Sequence, residues 1–235
     1  MPGRLALALL LAAGLAGCVR YEFDHEFWLE VDGSGRVQVT GRPGLWVAFK
    51  NVPSAEPEAA AREARRAFER AGLRVRRARV VERRGQRYLF LAAEFRDLNA
   101  LARSPAFPDL EIALRPVAGR LELRGAWGPP PGAREPPAAD RTGLVAVRFH
   151  MPSRVHAHDN AAGGVERGNI LSWRATTDAV VSGRVLSFGA EIDSRSTLHT
   201  TLVLFGVAVA LALLLVAGTL LAVARRGRRL APPAR

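Results

Sequence analysis

An α+β fold is what the sequence predicts: an antiparallel β-sheet domain with one long helix and one short helix, followed by a C-terminal transmembrane helix. Three observations predict it. Apolar and polar residues alternate strictly from Tyr21 onward, one helical pattern lies between Pro57 and Gly72, and a charge-free apolar run extends from Leu202 to Ala224. Strand patterns far outnumber helical ones, and no fixed-period repeat is visible.

The first element places Tyr21, Phe23, His25, Phe27, Leu29 and Val31 on one face and Glu22, Asp24, Glu26, Glu30 and Asp32 on the other. A period of two over this length means a half-buried strand, with the acids expected on a solvated face. Asp32-Gly33-Ser34-Gly35 supplies a turn into Val37 and Val39, making a hairpin. Pro53 and Pro57 bracket a helix start, with Ser54 as the candidate cap, and the helix continues to Gly72. Its mild apolar side carries Ala61, Ala64, Phe68 and Ala71, fit for lying on a sheet. Leu73 to Val81 and Tyr88 to Phe95 form a second hairpin around Arg83-Arg84-Gly85-Gln86, and a short helix follows over Asp97 to Arg103. Leu110 to Leu114 and Leu121 to Leu123 flank a turn at Ala118-Gly119. The prolines and glycines of Gly128 to Pro137 forbid regular structure and mark a surface loop. Strand patterns return at Leu144 to Phe149, Ile170 to Trp173 and Val185 to Ile192.

The two ends carry targeting signals. Residues 1–17 show a charged start at Arg4, an apolar stretch from Leu5 to Leu15 and small residues thereafter, the layout of a secretory signal peptide. Leu15-Ala16-Gly17-Cys18 then resembles the lipobox of bacterial lipoproteins. That resemblance implies cleavage before Cys18 and a covalent diacylglyceryl lipid on its thiol, with no other cofactor. At the far end, a helix over 198–224 is long enough at 1.5 Å per residue to cross a hydrocarbon layer. Arg225, Arg226, Arg228 and Arg229 place the tail, 225–235, in the cytoplasm by the positive-inside tendency. Residues 18–197 are therefore expected as an extracytoplasmic domain of the cytoplasmic membrane. The short connections at both ends imply that its two termini approach one membrane face.

Composition excludes some functions. The formal net charge is +12, but Arg4, Arg225, Arg226, Arg228, Arg229 and Arg235 belong to the terminal segments, which leaves a moderately basic domain with Lys50 as its one lysine. Interspersed acids argue against a nucleic-acid stripe, so membrane lipids, or an envelope membrane-protein complex, are the expected partners. A lone cysteine forms no intramolecular disulfide. His150, His156, His158 and Asp159 are the residues best suited to a transition metal, and a metal-dependent hydrolase built on them is the alternative to a binding module. Met151-Pro152 interrupts that stretch, and exposed or structural histidines are the better reading. Ser172 and Ser187 lack a nucleophile-elbow context, and no phosphate-cradling loop is present. Among the tryptophans, Trp173 reads as core, and Trp28, alone among acids, as a candidate contact residue.

The order of these features resembles the LppM-like lipoprotein domain of bacteria. The resemblance is carried by Cys18 after its signal peptide, by Asp32-Gly33-Ser34-Gly35 and by Phe95-Arg96-Asp97-Leu98-Asn99-Ala100-Leu101. It continues in Asn160 and in Gly168-Asn169-Ile170-Leu171-Ser172-Trp173. It implies a non-enzymatic α+β envelope domain with lipid binding among its members, and it transfers no catalytic residue. The proline-rich segment at 128–137 departs from a minimal version of that domain.

Overall fold

Strand β1 (Tyr21–Leu29) is the spine of the larger of two sheets, and its inward residues Phe23, Phe27 and Leu29 are almost wholly buried. The computed structural model describes residues 21–159, 161, 164–166, 168–195 and 197–230. Leu15, Ala16, Gly17, Cys18, the signal segment 1–17, Asn160 and residues 231–235 lie outside them. The mixed α+β architecture is as expected, with helices packed beside two sheets of strands.

The described strands are β1, β2 (Gly35–Gly41), β3 (Arg74–Arg83), β4 (Gln86–Phe95), β5 (Leu110–Val117), β6 (Arg120–Trp127), β7 (Leu144–His150), β8 (Val155–Asp159), β9 (Ile170–Thr176) and β10 (Leu186–Asp193). Six form a sheet in the order β3-β4-β2-β1-β7-β9, and four form a second in the order β5-β6-β10-β8. The hairpins β1-β2, β3-β4 and β5-β6 fall where the turn residues put them. Arg84-Gly85 and Ala118-Gly119 have positive φ at both positions, the backbone that a two-residue hairpin turn demands. One pairing was not expected: β1 runs parallel to β7, with Glu26 opposite Arg148 and Trp28 opposite His150. The larger sheet is thus mixed, because the chain returns to β1 only after an excursion through the second sheet.

Among the described residues four short or medium α-helices accompany the sheets: α1 (Pro43–Lys50), α2 (Pro57–Arg70), α3 (Leu98–Leu101) and α4 (Thr177–Val181). Helix α1 buries Leu45, Trp46, Phe49 and Lys50, and ends at Asn51, whose positive φ turns the chain out. Helix α2 starts later than Ser54. The Glu56 carboxylate accepts from the backbone N–H of Glu58 (3.2 Å) and Ala59 (2.6 Å), while Ser54 Oγ accepts from Glu56 N–H. A carboxylate is the stronger anchor here because it also meets the positive end of the helix. Ala60, Ala64 and Phe68 then pack inward.

One core joins all layers. Phe23 stands edge-on to Trp46 and Phe49, Phe27 stacks on Phe149 at 4.7 Å, and Phe149 meets Phe188 of the second sheet. Gly41 is required where β2 crosses Phe23, since a Cβ there would stand 2.1 Å from that ring.

Register fixes where the ends of the domain lie. Strand β10 runs alongside β1: Leu186 pairs with Trp127, which stacks on Phe23, whereas Asp193 meets Arg154, just beyond the end of β7 that pairs with Trp28. Tyr21 and Asp193 therefore sit at opposite ends of the strands, roughly 25 Å apart along β1 at 3.3 Å per residue. The two ends thus lie apart along the strands and not side by side. Helix α5 (Thr197–Leu230) follows, and its segment Thr201–Val223, 23 residues, has none of its surface buried and is long and apolar enough to cross a membrane. The helix continues past Arg225 to Leu230, beyond the boundary at 224.

Candidate functional site

The face of β1 read as solvated is instead a buried row of charges. Glu22 and Asp24 are 5% and 7% exposed. Their strand is central, not an edge, so neighbouring strands deliver partners to them. Tyr88 donates to Glu22 (2.9 Å), and Arg42 bridges Glu22 (3.7 Å) and Asp140 (2.7 Å). Arg148, brought beside β1 by the parallel pairing, donates to Asp24 (2.6 Å) and Glu26 (3.1 Å). His150 Nε2 donates to the other oxygen of Glu26 (2.8 Å). Burial pushes the Asp24 carboxyl above its usual range even though Arg148 pulls the other way. Desolvation outweighs the single guanidinium because the group is nearly sealed from water.

The row ends in a cleft. Trp28 stacks on His150 with ring centroids 4.5 Å apart, and the Arg36 guanidinium lies over its indole at 4.4 Å. The cavity beside them has a volume of about 830 Å³ and is lined by Trp28, Glu30, Arg36, Arg74, Glu94 and Arg96, among others. Glu94 is engaged by Arg76 (2.7 Å) and Arg74 (3.9 Å). That leaves Arg36 and Arg96 as cations without an ion pair among the described residues. Trp28 is sandwiched between His150 and Arg36, and the open part of the cleft offers guanidinium donors suited to a polar anionic group.

A second polar group lies within the core and went unread in the sequence. Lys50, at the last turn of α1, donates to Asp109 (2.7 Å), and Trp127 Nε1 donates to the other Asp109 oxygen (2.7 Å). The Lys50 ammonium also sits 3.9 Å from the Phe107 ring centroid. His25 Nε2 is 3.5 Å from Asp109 and makes no hydrogen bond. Burial, reinforced by the nearby Lys50 charge, drives the His25 pKa well below its ordinary value, so the ring is neutral. Burial likewise lowers Lys50 to about 8 and raises Asp109, each opposed by the charge of the other. Its enclosure by Phe23, Phe27, Phe107 and Trp127 makes it a specifying element of the core, out of reach of a ligand.

The histidines proposed as metal ligands do not converge. His150 belongs to β7 of the larger sheet and is held by Glu26, while His156, on β8 of the smaller one, pairs with Asp193 at 2.6 Å. Asp159 is taken by Arg124, and its carbonyl accepts from Trp173 Nε1. Among the described residues no group of three or more His, Cys, Asp or Glu side chains is placed to hold a metal. Residues close in sequence part here because the chain changes sheets between β7 and β8. Trp173 is core, as expected; Ser172 is buried, and Ser187 is exposed on β10.

No family model matches the chain, and no curated protein does. Among solved structures it is similar to the folded domain of LppM from Mycobacterium tuberculosis, determined by NMR. That likeness has 14% sequence identity, covers 76% of this chain and 94% of the other, and has a TM-score of 0.36.

Proposed function

We propose that the protein is a lipoprotein of the bacterial cell envelope, held in the cytoplasmic membrane by α5 and by a lipid on Cys18, whose domain acts outside as a non-enzymatic binding module. The observation that carries this reading is α5 itself. A largely apolar, uncharged segment of 23 residues with no buried surface is unstable in water, and the helix that carries it begins four residues after the last described strand of the domain. The domain is thereby confined to the outer surface of that membrane, with the tail at Arg225, Arg226, Arg228 and Arg229 on the cytoplasmic side. Its ligand is an anionic lipid drawn out of that membrane, its headgroup held in the cleft at Trp28, Arg36 and Arg96. An envelope membrane-protein complex is the second class of partner.

Two experiments test this. Cys18→Ser is expected to abolish incorporation of labelled fatty acid and to leave an unprocessed precursor. Labelling and maturation equal to the parent would reject the lipidated form. Separately, full-length protein purified from membranes in mild detergent is expected to retain lipid identifiable by mass spectrometry, and Trp28→Ala with Arg36→Gln to reduce it several-fold. Retention no greater than that of an unrelated single-span protein would reject the ligand class.

A further inference from the structure

We infer that the outer edge of the larger sheet, β3 with α2 beside it, is a docking surface for a linear polyanion of the cell envelope, a chain bearing repeated phosphate or carboxylate groups. This rests on the membrane-anchored reading above. Residues 57–87 contain eleven arginines against four glutamates, which accounts for essentially the whole positive excess outside the two terminal segments. They fold into one unit: α2 packs on β3 and β4, and β3 is the edge strand of the sheet. Arg77, Arg79 and Arg84 are exposed and form no ion pair among the described residues. Along a strand, alternate residues such as Arg77 and Arg79 stand roughly 7 Å apart, a row that matches a chain of regularly spaced charges.

Placement decides which anion this edge meets. Asp193, from which the chain enters α5, touches Arg154 and Ser153 just past β7, and β3 lies four strands from β7. At about 4.8 Å per strand the arginine edge is roughly 19 Å to the side of the membrane anchor. At the other end of β1 two residues join Tyr21 to Cys18, a reach of about 10 Å. Both anchors reach one bilayer when the strands lie along it with the β8 and β9 side closest, and this turns β3 away from the headgroups. A separation of about two Debye lengths screens the edge from its own membrane. A protein partner is disfavoured as well, because interface centres are built on large apolar anchors. The exposed large apolar residues of the described domain are Val117, Val165 and Val185, none of them on this edge.

The test uses the full chain in nanodiscs of phosphatidylcholine, titrated with fluorescently labelled polyphosphate and poly-glutamate and read by anisotropy. Wild type is expected to bind, with affinity falling steeply as salt rises. Arg77→Gln, Arg79→Gln and Arg84→Asn combined, the last keeping a residue tolerant of positive φ in the turn, is expected to weaken binding at least tenfold. Arg115→Gln with Arg184→Gln, exposed elsewhere, is expected to leave it unchanged. Tighter binding of polyphosphate than of poly-glutamate assigns the phosphate class, and the reverse the carboxylate class. Absence of binding, or an equal loss in both variants, overturns the proposal. So does slowed amide exchange across β3 on adding phosphatidylglycerol to the discs without polymer, which would put the bilayer on this edge. Co-elution with the discs is scored on the same sample and reads the anchoring alone, so its failure is distinguishable from failure of polymer binding.

Discussion

Asp109→Ala is expected to destabilise the domain by about 3–5 kcal/mol, because it strands a buried lysine ammonium without its counter-charge. Lys50 and Asp109 have side chains 2% and 0% exposed, so water cannot replace the missing partner. The same change removes the acceptor of the Trp127 indole N–H, which is itself sealed in the core. For a domain of this size the loss corresponds to a melting temperature lowered by roughly 10 °C. Thermal unfolding of the full-length protein in detergent, followed by near-ultraviolet circular dichroism of the buried tryptophans, measures it. Lys50→Met combined with Asp109→Leu is expected to recover at least half of the loss, since the cost lies in the unpaired charge and not in the lost bond. A double variant as unstable as Asp109→Ala would instead assign the cost to packing around Trp127.

Arg148→Met is expected to cost about 2 kcal/mol at neutral pH, less than a fully buried pair because the Arg148 side chain keeps 27% of its exposure. It removes the hydrogen-bonding cation that Asp24 and Glu26 share. The deficit should depend on pH. Burial already holds the Asp24 carboxyl above its ordinary pKa, and without Arg148 it rises further. A carboxyl whose folded pKa exceeds its unfolded value binds a proton on folding. Its penalty is therefore absent below the unfolded pKa and grows as pH climbs to the folded one. The gap between variant and wild type is expected to be small in acid, at the ordinary carboxyl pKa and below, and to widen as pH rises above it. A gap that stays constant across that range would mean that Arg148 acts by packing alone.

Local patterns in the chain predicted local structure well. The three hairpins followed from alternation and from turn residues such as Arg84-Gly85, and the proline-rich stretch before Pro137 is indeed without strands. Helix α1 escaped because Pro43 to Phe49 is apolar nearly all round, which erases the 3.6-residue contrast that reveals an amphipathic helix. The acids of β1 were misplaced for a different reason. A period of two shows that Glu22, Asp24 and Glu26 share a face, but it cannot distinguish water from arginine on that face. The arginine in question, Arg148, lies more than a hundred residues away. Nothing local announces such a partner, nor the meeting of Lys50 with Asp109. Of the candidate site, Trp28 was legible as an aromatic among acids, whereas Arg36, Arg74 and Arg96 converge on it only through the pairing of β1, β2, β4 and β3.

The parallel pairing of β1 with β7 has a bearing on how the chain acquires its structure during synthesis. The first described strand to emerge has the partner most distant in sequence, since β7 begins at Leu144. Contacts so distant in sequence slow folding, and a sheet left half assembled exposes strand edges that aggregate. Glu22, Asp24 and Glu26 give the waiting strand a charged flank that keeps it dispersed in water. Arg42 then meets Glu22, and Arg148 meets Asp24 and Glu26, as β1 is sealed between its neighbours.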